Sequence, residues 1–355
     1  MTLEAFAAEL VAHANALASA GKGLLAADES TGTIGKRFAA VGLENSEANR
    51  RAYRSLLANC DGLEQYISGV ILFEETLFQD SCDGPAIVAL FQQRGIIPGI
   101  KVDQGVQPLA GGLAGETWCT GLQGLRERAA RSYARGARFA KWRAVLRINA
   151  EGAPSALAIR ENAWGLARYA RTVQEEGLVP IVEPEILMDG DHPIETTAEV
   201  QEAVLREVYA ALAANGVLLE GSLLKPSMTS AGAEWSGARS AQQVAEFSVR
   251  TLRRSVPASV PGILFLSGGL SEEEASLNLD AINRVGRRCP WHLSFSFGRA
   301  LQQSCLKQWA GRDTAAGQRA LLARARANSE ASLGAYRPGS QPSDDANLFV
   351  AGYSY

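Results

Sequence analysis

The sequence predicts an α/β fold, a single (β/α)8 barrel with an N-terminal helix and a mobile C-terminal tail. Short apolar runs rich in β-branched residues recur eight times along the 355 residues, with amphipathic helical stretches between them. This alternation predicts a parallel sheet, and eight such units favour a closed barrel. An open doubly wound sheet is the alternative, but no GxGxxG turn follows an early strand, which counts against it.

The elements are assigned from their hydrophobic periodicity. Leu3 to Leu17 carries apolar residues at helical spacing and predicts the N-terminal helix. The predicted strands are 23–28, 67–74, 96–103, 139–148, 179–187, 218–226, 262–269 and 292–298. Crossover helices are predicted between them, including 155–177 and 197–215, which end near glycine or asparagine.

The chain is expected to divide into one domain and a tail. Residues 1–335 form the predicted barrel. From Tyr336 the sequence turns polar and turn-forming (YRPGSQPSDD), and it ends in the aromatic-rich AGYSY. Residues 336–355 are therefore predicted to be a flexible tail that crosses the surface.

The composition argues against several kinds of partner and site. A net charge of −3 and a pI of about 5.8 predict no nucleic-acid or membrane partner. No apolar run is long enough to span a bilayer, and the N-terminus lacks the basic start of a signal peptide. The five scattered cysteines are typical of reduced thiols. The three histidines form no HxH or HExxH pattern, so we expect no metal and no cofactor.

Lysine is rare in this chain. Only six of its 35 basic residues are lysines, and the other 29 are arginines. Lysine offers a compact amine that can lose its proton, whereas arginine keeps its charge. Lys101, Lys141 and Lys225 lie in or at the ends of predicted strands. One such lysine would be expected to reach the surface along its stem, but three of them indicate a functional cluster.

The predicted strands place charged side chains on shared faces. Residues two apart on a strand point the same way, and the strands of a parallel barrel end at one mouth, where barrel enzymes act. We therefore expect a ring of charge formed by Asp28, Lys101, Lys141, Arg143, Glu183, Glu185 and Lys225. Buried charge at this density is costly, which indicates a functional rather than a stabilising role.

Lys225, in the segment LLKP, is the predicted nucleophile. Its apolar neighbours and the charge of Lys141 favour the neutral amine. Such an amine attacks a ketone to form a Schiff base, which accepts electrons when the adjacent carbon–carbon bond breaks. Glu183 on the preceding strand is placed to transfer protons. Alternatively, Glu183 only neutralises Arg143 or Lys141.

Asp28 and two groups of basic residues leave alternatives open. Asp28 is either the base that takes a hydroxyl proton during cleavage or the N-cap of the next helix. Loops after the last two strands predict a phosphate site, and its residues are Ser267, Gly268, Gly269, Gly298 and Arg299. Arg37 and Arg50 with Lys101 form a second candidate anion site, although Arg50 is equally well explained as a solvated helix charge.

Several motifs resemble those of the class I fructose-bisphosphate aldolases. They are GKGLLAADESTG (21–32), GIKVDQG (99–105), FAKWR (139–143), IVEPEIL (181–187), LLKPSM (223–228), FLSGG (265–269) and SFGRALQ (296–302). The resemblance runs from about residue 3 to the final tyrosine, and segments 42–54 and 290–296 are closest to plastid-type sequences. Phe297 replaces a more usual tyrosine and Gln104 a common lysine, and neither change removes a group that the chemistry needs.

The resemblance implies a (β/α)8 barrel, a homotetramer, and a Schiff-base lysine at Lys225. It also implies proton transfer by Glu183, Asp28 and Lys141, and a proton-exchange role for the C-terminal Tyr355. Phosphate contacts are implied at Arg37, Ser267, Gly268 and Arg299. The expected reaction is reversible, metal-independent cleavage of fructose 1,6-bisphosphate, with sedoheptulose 1,7-bisphosphate as a second substrate.

Two rival functions fit these residues less well. A scaffold protein would not require Asp28, Glu183, Lys225 and Tyr355 all to be present, and all are. A transaldolase or deoxyribose-phosphate aldolase would not need paired phosphate sites and a terminal tyrosine. The expected partners are small-molecule sugar phosphates, and the expected location is the bacterial cytoplasm or the plastid stroma.

Overall fold

A computed structural model describes residues 3–344 and 346–352 of the chain. Its strands are β1 Gly23–Ala27, β2 Ile67–Leu72, β3 Ile97–Lys101, β4 Val106–Pro108, β5 Thr117–Cys119, β6 Phe139–Leu146, β7 Val179–Ile186, β8 Leu223–Leu224, β9 Gly262–Phe265 and β10 His292–Phe297. All except β4 and β5 pair in parallel and close in the order β1-β10-β9-β8-β7-β6-β3-β2. The predicted barrel fold is confirmed.

The helices surround this barrel. They are α1 Leu3–Leu17, α2 Thr31–Ala39, α3 Glu47–Ala58, α4 Glu74–Phe78, α5 Ile87–Gln93, α6 Leu125–Arg135, α7 Ala156–Gln174, α8 Ile194–Ala214, α9 Ala241–Ser255, α10 Glu272–Val285, α11 Arg299–Trp309 and α12 Thr314–Ser332. Serine side chains cap the N-termini of several of them, such as Ser30 on α2 and Ser155 on α7. Within the described ranges, none of these helices has both the length and the apolar character needed to cross a membrane.

Every predicted barrel strand is present, but each is shorter than its prediction. Segment 218–226 begins with a short 3-10 helix (Leu219–Gly221), and only Leu223 and Leu224 are strand residues. Segment 262–269 leaves the sheet after Phe265. In both cases the residues beyond the strand stay largely buried in the mouth. A backbone hydrogen bond to the neighbouring segment continues there, from Lys225 N–H to the carbonyl of Val182 and from Leu266 N–H to the carbonyl of Pro226. The β4–β5 hairpin was missed because its strands are three residues long and mostly not buried, so they carry no run of apolar residues.

Two layers of apolar side chains form the core. The larger one lies between the sheet and the outer helices. The smaller one fills the inside of the barrel, where Leu24, Phe139 and Leu223 meet Leu10 and Leu17 of α1. Helix α1 packs at the strand starts. A Cβ on Gly262 would lie 2.5 Å from the Cβ of Ala18, the residue that follows α1. This end of the barrel is therefore closed by apolar contacts, and the opposite end carries the charged side chains.

Gly99 in β3 provides a test of how tightly the barrel interior is packed. A Cβ at this position would lie 2.2 Å from Cε2 of Phe139. We expect Gly99→Ala to lower the free energy of unfolding by about 1–3 kcal/mol through overpacking, measured as a fall in the thermal unfolding midpoint. Gly165 in α7 is the matched control, because a Cβ there meets no atom within 4 Å. Gly165→Ala should instead raise the midpoint. Equal effects of the two changes would contradict this view of the interior.

Candidate active site

Four charged side chains form a continuous chain of contacts at the carboxyl ends of the strands. Lys141 Nζ lies 2.6 Å from Asp28 Oδ2 and 3.5 Å from Glu183 Oε2. On the other side of Glu183, its Oε1 lies 3.2 Å from Lys225 Nζ. All four residues are buried, and Lys141 has no exposed surface. Groups that can exchange protons therefore run without a break from Asp28 to Lys225.

Strand register explains why these residues meet. Lys141 lies opposite Lys101 of β3, and Arg143 lies opposite Glu183 of β7. Side chains at every second position of these strands point into the mouth. Lys225 follows β8 directly, and its backbone N–H donates to the carbonyl of Val182 at 2.8 Å. The pairing of the last residues of neighbouring strands thus fixes the separation of the charged groups.

Asp28 is ionised at any physiological pH. Burial alone would raise the pKa of this carboxyl, but the charges of Lys141 and Lys225 outweigh burial and lower the pKa to about 2. The N-cap interpretation of Asp28 is wrong, because Ser30 caps α2 by accepting from the backbone N–H of Thr33. Asp28 instead points into the mouth, against Lys141.

Two further ion pairs flank the central chain. Arg143 Nε donates to Glu185 Oε2, and Lys101 Nζ lies 2.6 Å from Asp103 Oδ1. Burial raises the pKa of Glu185, but Arg143 reverses that effect and leaves the pKa below its usual value. Glu183 contacts Lys141 and Lys225, whereas Arg143 takes Glu185 as its partner.

Sequence reasoning missed a buried carboxylate, Glu29. It forms ion pairs with Arg37 and with Arg54, whose Nη2 lies 2.7 Å from Glu29 Oε2. Gln302 donates to its other oxygen at 3.1 Å. Burial would raise the pKa of Glu29, but the two arginines lower it. Glu29 thereby holds Arg37 at the edge of the mouth. Its place next to Asp28 in the ADES segment was the available signal.

A cavity joins the central chain to most of the predicted phosphate residues. Its lining includes Asp28, Glu29, Arg37, Arg143, Glu183, Glu185, Lys225, Ser267, Gly268, Gly298 and Arg299. Gly268 allows a close approach, because a Cβ there would lie 2.9 Å from Glu185 Oε1. Arg299 also donates from Nη1 to the carbonyl of Leu348. Arginine side chains and glycine backbone thus line the same cavity as the buried Lys225.

Other predicted residues lie apart from this cavity. Lys101 lines a neighbouring cavity with Ser30 and Arg128. Arg50 on α3 pairs with both oxygens of Glu75, at 2.8 and 2.7 Å. Gly269 has a φ of +86°, and a Cβ there would lie 3.3 Å from Phe349. The remaining predicted residue, Tyr355, lies outside the described part of the chain.

Between residues 3 and 352, leaving out the undescribed position 345, no three His, Cys, Asp or Glu side chains are grouped to hold a metal ion. The residues that line the cavity offer a buried amine, carboxylates and arginines.

Comparisons with known proteins agree on one family. The family model for class-I fructose-bisphosphate aldolase matches residues 9–355. The chain is 54% identical to chloroplastic fructose-bisphosphate aldolase 1 of Arabidopsis thaliana, covering 99% of this chain and 88% of the relative. It is 55% identical to the cytoplasmic isozyme of Spinacia oleracea, covering 99% of this chain and 98% of the relative. A solved fructose-bisphosphate aldolase of Plasmodium falciparum superposes with a TM-score of 0.92 at 53% identity, covering 94% and 96% of the two chains.

The charge of Asp28 should contribute to acid stability. Its folded pKa of about 2 lies below the ordinary value of 3.8, so its contribution is present above the ordinary pKa and is lost as the pH falls through about 2. The contribution amounts to about 2 kcal/mol. We expect the difference in unfolding free energy between the native protein and Asp28→Asn to shrink as the pH falls from 3.8 to about 2, measured by denaturant titration. A difference independent of pH would contradict the assigned ionisation.

Proposed function

The chain belongs to the class-I fructose-bisphosphate aldolase family, and from this premise we propose that Lys225 forms the Schiff base with the substrate. The enzyme is a lyase that reversibly cleaves fructose 1,6-bisphosphate to dihydroxyacetone phosphate and glyceraldehyde 3-phosphate. The observation that carries the residue assignment is the unbroken chain of contacts from Lys225 through Glu183 and Lys141 to Asp28.

The first step requires a neutral amine at Lys225. Glu183 is 3.2 Å away and accepts the proton that the ammonium gives up. The amine then attacks the C2 ketone, and a proton passes from the nitrogen to the former carbonyl oxygen to give a neutral carbinolamine. Glu183 returns a proton to this hydroxyl, which leaves as water and forms the iminium. A single carboxyl group in contact with the amine thus performs both proton transfers.

The second step breaks the bond between C3 and C4. Asp28 takes the proton of the C4 hydroxyl, so that C4 becomes the aldehyde of glyceraldehyde 3-phosphate. The electron pair of the broken bond moves into the iminium and forms an enamine. Lys141 lies 2.6 Å from Asp28 and 3.5 Å from Glu183, where it stabilises negative charge on either carboxylate and on the reacting oxygens.

The last step returns the enamine to the ketone. A proton is added at C3, and in this proposal the hydroxyl of Tyr355 mediates the exchange, as the family resemblance implies. Water then attacks the iminium, with Glu183 again transferring protons, and dihydroxyacetone phosphate leaves Lys225. The reverse sequence of the same steps joins the two triose phosphates.

The two ends of the bisphosphate need separate anion sites. We assign one to the loops after β9 and β10, where Ser267, Gly268 and Gly298 offer backbone N–H groups and Arg299 and Arg37 add positive charge. Lys101 in the neighbouring cavity serves the other phosphate. The pair of Arg143 and Glu185 lies between them and binds substrate hydroxyl groups. The pairing of Arg50 with Glu75 favours the interpretation of Arg50 as a helix charge.

Further properties follow the relatives. Relatives carry chloroplastic and cytosolic names, which supports a bacterial cytoplasmic or plastid location and roles in glycolysis, gluconeogenesis or the Calvin cycle. We also propose activity on sedoheptulose 1,7-bisphosphate, testable by direct assay.

A homotetramer is supported by exposed Leu157 and Trp164 on α7, which offer apolar surface for a second copy. Sedimentation would measure the mass of the assembly. Residues 1–335 with a tail from 336 remain the proposed domain division.

Replacing the proposed nucleophile should abolish the chemistry. We expect Lys225→Met to lower the cleavage rate of fructose 1,6-bisphosphate by about 10⁴-fold or more, because no other residue supplies the Schiff base. Borohydride reduction in the presence of dihydroxyacetone phosphate should give a stable adduct that mass spectrometry maps to Lys225. EDTA should not reduce the activity.

The matched control for this experiment is Lys22→Met. Lys22 is another poorly exposed lysine, and its Nζ donates to the carbonyl of Glu64 at 2.7 Å, away from the mouth. This variant should keep its activity and its adduct. An adduct on a different lysine, or loss of activity on chelation, would overturn the proposed mechanism.

The assignment of Lys101 to a second phosphate predicts a substrate-dependent effect. Lys101→Met should lower kcat/KM for fructose 1,6-bisphosphate about 10- to 100-fold, the range expected when a charged hydrogen bond is lost. Fructose 1-phosphate, which lacks that phosphate, should be affected much less. Arg50→Gln is the control and should change neither value, because Arg50 is occupied by Glu75. Equal losses on both substrates would rule out this assignment.

A further inference from the structure

The C-terminal segment touches the barrel at two points around the mouth. The carbonyl of Leu348 accepts from Arg299 Nη1. Four residues later, the backbone N–H of Gly352 donates to Asp189 Oδ1. Gly352 also shares a cavity with Arg37 and Arg299, and both of these arginines line the central cavity with Lys225. The end of the described chain is therefore attached next to the reaction site.

Asp189 belongs to a rigid extension of the strand that carries Glu183. It follows β7 by three residues, and the intervening Leu187 N–H donates to the carbonyl of Leu146 at 2.9 Å. Beyond Asp189, the carbonyl of Gly190 accepts from the N–H of Glu234 at 3.1 Å. Asp189 is also mostly buried, with 16% of its side chain exposed. Its carboxylate is thus held in place relative to the catalytic strand.

Arg147 completes the attachment from the neighbouring strand. It directly follows β6, the strand of Lys141, and its Nη2 lies 3.8 Å from Asp189 Oδ1. Gly352 adopts a φ of +60°, and a Cβ on it would lie 3.0 Å from Arg147 Nη2. A glycine fits here because it takes this backbone conformation without strain and leaves space for the guanidinium. Asp189, Arg147 and Gly352 therefore form a fitted contact.

We propose that Asp189, supported by Arg147, is a positioning residue that anchors the tail at Gly352 and so sets the reach of Tyr355. This inference rests on the proposed role of Tyr355 in proton exchange. Tyr355 is three residues beyond Gly352, and three extended residues span at most about 10 Å. An anchor at Gly352 limits how far the chain after it can extend from the mouth, which would raise the effective concentration of the tyrosine at the enamine.

The test is the exchange of the C3 proton of dihydroxyacetone phosphate with deuterated solvent, followed by NMR. Asp189→Ala removes the acceptor of the Gly352 N–H, and we expect exchange to slow about tenfold, as for the loss of one charge-assisted hydrogen bond. Asp189→Asn keeps an acceptor oxygen and should recover part of the rate. Asp191→Ala, in the same loop but exposed, is the matched control and should exchange at the native rate.

A double variant separates positioning from a general structural role. In a Tyr355→Phe background, Asp189→Ala should cause no further loss, because the group that it positions is already missing. Borohydride trapping at Lys225 should stay unchanged in every Asp189 variant, which also shows that the barrel is folded. Native exchange in Asp189→Ala, or an equal loss with and without the tyrosine hydroxyl, would overturn the anchor. Failure of the native enzyme to form the Lys225 adduct would instead overturn the proposed function.

Discussion

The contact of the buried Lys141 with Asp28 and Glu183 is the constraint on which the site depends. With Lys225, these residues make two carboxylates and two amines that are almost fully excluded from water. Buried charges are tolerated only when they compensate each other, and removal of one leaves its partner uncompensated. The cluster is neutral as a whole when both lysines are protonated. Each member therefore compensates the charge of its neighbours.

In the proposed mechanism, this neutrality explains how Lys225 becomes reactive. Loss of its proton to bulk water would leave the cluster with an excess negative charge in a dry site. Transfer of the same proton to Glu183 keeps the total charge unchanged, and it creates the two species that the first step needs. These are a neutral amine to attack the ketone and a protonated carboxyl to expel water. The 3.2 Å contact between Lys225 and Glu183 permits this transfer directly.

The sequence was sufficient where a local rule sets the position of a side chain. Alternation on β6 and β7 placed Lys141 and Glu183 in the mouth, and strand ends placed Asp28 and Lys225 beside them. Contacts between separate elements were not predictable in this way. The partners of Glu29 come from α2, α3 and α11, and the partner of Arg50 comes from α4. Their identity depends on how those helices pack, which no periodic pattern in one segment encodes.

The division between lysine and arginine in the chain has a physical reason in the structure. Arginine keeps its charge and presents a planar set of donors, so it suits fixed pairs such as Arg54 with Glu29 and Arg143 with Glu185. Lysine is a point charge that can give up a proton. Lys141 and Lys225 occupy the central chain, where the proposed mechanism moves a proton. Replacing either by arginine would keep the charge but insert a larger, permanently protonated group among buried carboxylates. The proposed chemistry thus requires lysine at the centre and permits arginine around it.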